Sequence, residues 1–167
     1  MILDCNEILE NRLWVGCFPR VDEVASLKQL DISAVLSLQS DGDLAEYSIP
    51  IKKLIKAYES ADIEFHRIPT KDFDKQALGA NLAIAVEKLE AILAPKWAKA
   101  YVHCTAGVNR APTLAAAYLI KTQQMSATQA YDYVMARRHC RPYLSMLEEY
   151  EATLKAQNVE LGIPEKK

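Results

Sequence analysis

Cysteine is scarce in this sequence of 167 residues, and its spacing builds neither a disulfide framework nor a zinc site. The four cysteines, at positions 5, 17, 104 and 140, are widely spread, and no C-x-x-C pair is present. Small secreted domains and zinc modules depend on closely spaced cysteines or on Cys/His pairs. The pattern therefore favours a reducing environment, and we expect a cytoplasmic location.

Long apolar runs and an excess of either charge are also missing. The uncharged stretch at 111–120 is far shorter than the roughly 20 residues of a membrane span. The first residues lack the basic start and apolar core of a signal peptide. With 20 basic and 22 acidic side chains the net charge is -2. We therefore expect neither a membrane nor a nucleic acid as partner.

The remaining pattern predicts a single α/β domain over residues 1–161, with a frayed tail at 162–167. Strands alternate with helices, and no repeat or linker interrupts them. Strands are predicted at 12–17, 34–38, 63–68 and 101–103, helices at 21–30, 49–58, 75–93, 112–124, from 127 and at 144–154, and a turn at 40–43. The Ser126-x-x-Gln129 pattern is a capping box. We expect a central, mixed and mostly parallel sheet flanked by helices.

One segment, Tyr-Val-His-Cys-Thr-Ala-Gly-Val-Asn-Arg at 101–110, carries the chemistry. A predicted strand ends in His103-Cys104, five residues follow, and Arg110 precedes the next helix. Unpaired N–H groups and the dipole at a helix N-terminus stabilise an anion, and such a site lowers a cysteine pKa to roughly 3.5–7.5. An arginine can hold a phosphate with two parallel hydrogen bonds. We predict a nucleophile, Cys104, beneath a phosphate cradle formed by Thr105, Ala106, Gly107, Val108, Asn109 and Arg110.

Two residues of this segment have a second interpretation. Cys104 taken alone would be a small buried hydrophobic residue, as most unpaired cysteines are. His103 either orients the loop through its ring or is a hydrogen-bonded core histidine.

A proton donor is needed because an alkoxide is a poor leaving group. Asp72 and Asp74 both lie between a predicted strand and the helix that begins at Lys75. Asp74 adjoins that helix and suits its N-cap, so Asp72 is the preferred acid and Asp74 the alternative. No metal or other cofactor is required, because the cradle and Arg110 already neutralise the charge of a phosphoryl group.

The His-Cys-x5-Arg pattern resembles the signature of the cysteine-dependent protein tyrosine phosphatase superfamily. The short chain and the Arg-Ala-Pro-Thr sequence at 110–113 resemble its dual-specificity branch. The loop, with the segments at 37–41, 71–74 and 138–142, is also similar to plant starch (glucan) phosphatases. The resemblance implies that Cys104 attacks phosphorus, Arg110 holds the phosphoryl oxygens and Asp72 protonates the leaving oxygen. Phosphorylated Tyr, Ser or Thr in proteins is the expected substrate, and a phosphorylated glucan is the alternative.

Three departures from these patterns bear on activity and substrate. Ala111 stands where many relatives have a hydroxyl that helps the thiolate leave, so a phosphate-binding protein without turnover is a further alternative. Asn109 replaces a glycine of the glucan enzymes, and Arg141 replaces an aromatic residue. Phe73 and Tyr47 keep two aromatic positions for substrate contact, although an aromatic residue is more often part of a core.

Several further expectations concern the surface and the oligomer. Two basic groups, at 52, 53 and 56 and at 137, 138 and 141, are interpreted first as solvated helix faces and second as the lining of an anion site. A reversible disulfide between Cys140 and Cys104 stays open. We expect a monomer.

Overall fold

The computed structural model describes residues 3–162, and its centre is a five-stranded sheet. The strands are β1 (Cys5–Leu9), β2 (Leu13–Gly16), β3 (Ala34–Ser37), β4 (Glu64–Arg67) and β5 (Ala100–His103). Their order in the sheet is β1-β2-β5-β3-β4. Only β1 and β2 are antiparallel, and the other neighbours are parallel. The predicted mixed, mostly parallel sheet is confirmed, with β5 in its middle.

Seven α-helices cover the two faces of this sheet in the described part of the chain. They are α1 (Val24–Gln29, preceded by a 3-10 turn at Val21–Glu23), α2 (Asp41–Glu46), α3 (Ile51–Ser60), α4 (Lys75–Leu93), α5 (Arg110–Gln123), α6 (Ala127–Met135) and α7 (Leu144–Glu160). Ser126 caps α6 in the predicted capping box with Gln129.

Alternating residues of the strands supply two hydrophobic clusters, one on each face. In β5, Val102 belongs to the cluster that contains residues of α4 to α7, whereas Tyr101 belongs to the cluster with α1 and α3. Leu36 and Val35 of β3 divide in the same way. Because a strand buried on both faces must be apolar throughout, β5 and β3 appear in the sequence as continuous apolar runs.

The structure corrects three sequence-based predictions. The strand at 12–17 is the second strand, since β1 precedes it as an edge strand that was not predicted. The turn at 40–43 is the start of α2, because Ser40 accepts a hydrogen bond from the Asp43 amide and the Asp43 carboxylate accepts from the Ser40 amide. Helix α5 begins at Arg110, two residues earlier than predicted. Of the predicted tail, Gly162 is exposed in a turn, and residues 163–167 lie outside the described residues.

The carboxyl ends of the four parallel strands β2, β5, β3 and β4 meet at one edge of the sheet. In open α/β sheets this edge forms the crevice in which ligands bind. Cys104 follows β5 there, and the segments after β3 and β4 supply Asp43 and Asp72. No helix within residues 3–162 is long and apolar enough to cross a membrane.

Candidate active site

The loop between β5 and α5 holds its carbonyl groups outward, against donors on the surrounding elements. Six consecutive carbonyls, of residues 104 to 109, each accept a hydrogen bond. The donors are His103 Nδ1 to Cys104 O (2.9 Å), Phe18 N to Thr105 O (3.0 Å), Arg138 Nη2 to Ala106 O (3.3 Å), Arg138 Nε to Gly107 O (2.8 Å), Arg141 N to Val108 O (2.8 Å), and Thr113 N and Oγ1 to Asn109 O (3.0 and 2.7 Å).

Outward carbonyls leave the N–H groups on the inner side of the loop. In a trans peptide the carbonyl of one residue and the N–H of the next point in opposite directions, and no cis peptide occurs within residues 3–162. The N–H groups of residues 105 to 110 therefore face inward. None of them donates to a protein acceptor in the described part of the chain. Such a curl of unpaired donors at a helix N-terminus binds an anion.

Gly107 is the position where this curl needs glycine. Its φ is 66°, in the left-handed region. A Cβ on Gly107 would lie 2.4 Å from the carbonyl carbon and oxygen of Gly16, so the backbone of β2 supports the loop from behind. Any side chain at 107 would force the two backbones apart.

Cys104 and His103 lie at the end of β5, at the base of the loop. Cys104 is only 3% exposed, and His103 is equally buried. Burial lowers the pKa of His103 to about 4, so its ring is neutral, and Nδ1 donates to the Cys104 carbonyl. Nε2 has no hydrogen-bond partner among the described residues. This buried, hydrogen-bonded ring fits both interpretations of His103, an orienting residue and a core histidine.

The guanidinium of Arg110 is held in place by a buried aspartate. Arg110 is 1% exposed; its Nη1 and Nη2 donate to Asp43 at 2.9 and 3.0 Å, and Nη1 also donates to the Thr70 carbonyl at 2.7 Å. The Thr105 hydroxyl donates to the same carboxylate at 2.9 Å. The remaining donor, Nε, is buried without a partner within residues 3–162. An unpaired donor of this kind costs free energy unless a ligand accepts from it.

Electrostatics keep this ion pair charged. Burial alone would raise the pKa of Asp43, but hydrogen bonds from Arg110, Ser40 and Thr105 outweigh it and hold that pKa below its ordinary value. Burial would lower the pKa of Arg110, but Asp43 and the charges of Cys104 and Asp72 raise it. The guanidinium of Arg110 therefore stays positively charged, within electrostatic range of Cys104.

The two candidate acids have different environments. Asp72 is 30% exposed and lies 2.9 Å from Arg110 Nη2, so it reaches the loop. Asp74 instead accepts from the Ala77 amide at 2.9 Å and caps α4. The geometry therefore brings Asp72, and not Asp74, to Arg110. Phe73 follows Asp72 with a φ of 55° and is 83% exposed.

The other predicted contact residues lie around the loop. Asn109 Nδ2 donates to the Arg141 carbonyl at 2.9 Å, and the side chain of Arg141 is exposed. The half-exposed ring of Tyr47 packs on Phe18, whose amide holds the Thr105 carbonyl. These residues lie around the loop.

Tyr143 is a further residue of this rim that the sequence did not indicate. Burial and then the charge of Asp72 raise its pKa, which places the phenol within the field of the site. Lys75 Nζ lies 5.3 Å from the centre of its ring. The described residues contain no group of three or more His, Cys, Asp or Glu side chains placed to hold a metal ion.

The sequence profile of the family described as "Dual specificity phosphatase, catalytic domain" matches residues 13–155. The chain belongs to this family. Among curated relatives, the phosphoglucan phosphatase DSP4 of Castanea sativa is 28% identical over 142 residues, which is 83% of this chain and 37% of that protein. The tyrosine-protein phosphatase vhp-1 of Caenorhabditis elegans is 35% identical over 133 residues, 77% of this chain and 18% of that protein. The chain thus spans less than two fifths of these two relatives.

Solved structures share the fold of this dual specificity phosphatase domain. PTPMT1 has a TM-score of 0.75 and 23% identity, over 93% of this chain and 99% of that one. The PTP-2 phosphatase of Cydia pomonella has a TM-score of 0.72 and 25% identity, over 90% of each chain.

Two site residues of this dual specificity phosphatase domain escaped the sequence analysis. The Ser40-x-x-Asp43 pattern could have indicated a helix N-terminus, but nothing indicated that Asp43 meets Arg110, 67 positions away. For Arg138 the first interpretation, a solvated helix face, is wrong, because the residue is only 5% exposed. The other two arginines of this group, Arg137 and Arg141, are exposed, and Cζ of Arg137 lies 3.4 Å from the centre of the Tyr133 ring.

Proposed function

We propose that this chain hydrolyses phosphomonoesters, with phosphorylated Tyr, Ser and Thr of proteins as substrates, through a cysteinyl-phosphate intermediate. One observation carries the proposal: six inward N–H groups and Nε of Arg110 have no acceptor among the described residues, and they surround a cysteine. A phosphate dianion supplies the acceptors that this arrangement needs. Family membership supports the same reaction class.

In the first step, the thiolate of Cys104 attacks phosphorus. A sulfur–phosphorus bond forms, and the bond to the leaving oxygen breaks. The bound phosphate accepts from Nε of Arg110 and displaces the Asp72 carboxylate from Nη2. Asp72, in its protonated form once it is released from the cation, then gives its proton to the leaving oxygen and becomes a carboxylate. Asp43 keeps the guanidinium charged and fixed throughout.

In the second step, water attacks the cysteinyl phosphate, Asp72 accepts the proton of that water, and the sulfur leaves as thiolate. Ala111 is fully buried and has no hydroxyl to assist this departure. The inward N–H groups must therefore stabilise the leaving thiolate. No cofactor takes part in the proposed reaction.

The experiment that tests the proposal uses an aryl phosphate with Cys104→Ser and Cys17→Ser. We expect Cys104→Ser to abolish turnover and to retain binding of inorganic phosphate, because the loop donors stay in place. Cys17→Ser is the control, a half-buried thiol beside the loop, and its activity should match wild type. Full activity in Cys104→Ser overturns the proposal. Phosphate binding without wild-type turnover would instead support the alternative, a phosphate-binding protein.

The role of Asp72 is tested by the same assay with leaving groups of different pKa. Asp72→Ala should slow alkyl phosphates by roughly 10²–10⁴ because they need a proton. Aryl phosphates with acidic phenols should be slowed much less. Equal losses for all leaving groups would exclude Asp72 as the acid.

A phosphorylated glucan is the second candidate substrate. In its favour, two relatives are named phosphoglucan phosphatases, and the exposed ring of Phe73 beside Asp72 could stack on a sugar. Against it, the exposed cation of Arg141 suits acidic peptides better. Phosphate release from phosphopeptides and from phosphorylated amylopectin should be compared for wild type, Phe73→Ala and Arg141→Ala. A selective loss on amylopectin in Phe73→Ala would favour the glucan.

We also propose that the protein acts in the cytoplasm as a monomer and binds no nucleic acid. All four cysteines are free thiols, which supports a reducing compartment. Apart from Val159 and Leu161 at the end of α7, the exposed large apolar side chains lie on separate elements, for example Ile84 on α4 and Trp97 before β5, which supports a monomer.

A further inference from the structure

Arg138 is a buried arginine that the proposed reaction does not use. It lies three residues after α6, and its side chain is 3% exposed. One edge of its guanidinium contacts the phosphate loop from outside: Nε donates to the Gly107 carbonyl at 2.8 Å, and Nη2 donates to the Ala106 carbonyl at 3.3 Å. These are the two carbonyls at the middle of the loop.

The other edge of the guanidinium is held by the N-terminal part of the chain. Nη1 and Nη2 each donate to the Asp4 carboxylate at 3.1 Å, and Nη1 also donates to Asn6 Oδ1 at 2.8 Å. An arginine has five N–H groups, and these contacts use all five. Arg138 therefore links β1 to the loop with no donor left over.

We propose that Arg138 is the positioning residue of the phosphate loop, with Asp4 and Asn6 fixing its guanidinium. The inference rests on the proposed function of the loop. Because the carbonyls of Ala106 and Gly107 are bound outside, the N–H groups of Gly107 and Val108 point inward, toward the phosphate. Arg138 touches neither substrate nor thiol and acts only through these two peptide units.

The middle of the loop depends on Arg138 more than its ends do. The carbonyls of Cys104, Thr105, Val108 and Asn109 are held by backbone donors or by neighbours in the chain. Only the two peptide units around Gly107 rely on a side chain from another element, and glycine offers little resistance to rotation of its peptides. Without Arg138, a flipped carbonyl would point its negative end at the thiolate and the phosphate.

Arg12 provides a matched control at the opposite end of the sheet. Its Nε donates to the Ala98 carbonyl at 2.9 Å, and its Nη2 donates to the carbonyls of Leu93 and Pro95. It is the same kind of arginine-to-carbonyl tether, but it holds the segment between α4 and β5 and has no contact with the loop. An arginine needed only for folding should behave like Arg12.

The experiment compares Arg138→Lys, Asp4→Asn and Arg12→Lys with wild type. Three quantities are measured: kcat and KM for an aryl phosphate, the pH at which iodoacetamide alkylates Cys104 at half its maximal rate, and the Kd of inorganic phosphate. Lysine keeps the charge but lacks the planar fork that reaches both carbonyls and Asp4. Asp4 is 69% exposed, and asparagine keeps the shape of its side chain, so we expect Asp4→Asn to fold.

We expect Arg138→Lys to lower kcat/KM by roughly 100-fold, mostly in kcat, as for a misplacement of about 1 Å. The alkylation midpoint should rise by about one pH unit, a tenfold shift in the thiol equilibrium. Asp4→Asn should change both quantities in the same direction by a smaller factor. Arg12→Lys should lower thermal stability and leave both quantities at wild-type values.

Wild-type kinetics and an unchanged alkylation midpoint in Arg138→Lys would overturn the inference, and so would equal losses in Arg12→Lys. Failure of the proposed function has a different signature, since wild type would then bind phosphate without turnover. In that case the Kd of phosphate decides: weaker binding in Arg138→Lys alone supports the positioning role, and equal binding refutes it. If wild type binds no phosphate, both proposals fall.

Discussion

Two aspartates at the start of α2, only two positions apart, have different environments, one at the surface and one in the active site. Asp41 is 91% exposed and pairs with Arg67. Asp43 is 5% exposed, and its carboxylate accepts hydrogen bonds from both terminal nitrogens of Arg110. Removal of one partner from a buried ion pair leaves the other charge uncompensated, whereas a surface pair contributes little.

Asp43→Asn should therefore lower both stability and activity. Loss of the carboxylate leaves Arg110 with a poorly matched amide, at a cost of about 3 kcal/mol in the free energy of unfolding. The freed guanidinium should also lose its orientation, which lowers kcat/KM by about 100-fold. Urea unfolding and aryl phosphate kinetics measure the two effects.

Asp41→Asn is the control for this prediction. It removes one carboxylate from the same helix but disturbs only a surface pair, so the free energy of unfolding should change by less than about 1 kcal/mol. Similar behaviour of the two variants would show that Asp43 has no special role.

At the scale of elements, the segment from β4 to α4 assigns different tasks to Asp72 and Asp74. Asp74 satisfies an N–H group at the start of α4, which its helix cannot satisfy internally. Asp72 lies two residues earlier, outside the helix, and its carboxylate reaches Arg110. Phe73 between them has a positive φ, which turns the chain so that the two carboxylates diverge.

Asp74→Ala should destabilise the fold and spare the chemistry. Loss of an N-cap costs about 1 kcal/mol, and the proton donor stays in place. Asp72→Ala should do the reverse, with little change in stability and a large loss on poor leaving groups. Urea unfolding of both variants, read beside their kinetics, checks this. The two assignments would be reversed if Asp74→Ala kept native stability and lost more activity on poor leaving groups than on good ones.

At the scale of the whole molecule, His103 ties stability to pH. It ends the central strand β5, and burial lowers its pKa to about 4, whereas an unfolded histidine titrates near 6.5. Between these two values the unfolded state binds more protons than the folded state. Stability therefore rises with pH across this window, and the contribution of His103 is lost as the pH falls through it.

The free energy of unfolding should fall by about 3 kcal/mol between pH 7 and pH 4 because of His103. Urea unfolding at several pH values measures the slope. His103→Asn, which keeps a donor for the Cys104 carbonyl and cannot titrate, should flatten the slope in this window. His139→Gln, at an exposed position, should retain it. An unchanged slope in His103→Asn would contradict the prediction.

Local sequence patterns are sufficient to predict most elements and the chemical groups of the loop. Apolar runs predicted the central strands β3 and β5, and the five-residue spacing between Cys104 and Arg110 predicted the loop at a helix start. These are local properties, because periodicity, capping and glycine at a left-handed position act within a few residues. The short edge strand β1 was not predicted because its apolar and polar residues do not alternate, and Asn11, with a φ of 53°, is a weak turn signal by itself.

The groups that complete the loop come from distant parts of the chain and meet only through packing. Asp43 meets Arg110 because α2 follows β3, which lies beside β5 in the sheet. Arg138 meets the loop because α6 packs on α5 and returns the chain to the β1 edge. A charged side chain needs a protein partner only where packing removes its water. The sequence does not show which charged residues become buried. Burial, which depends on the whole fold, therefore made these two residues part of the site.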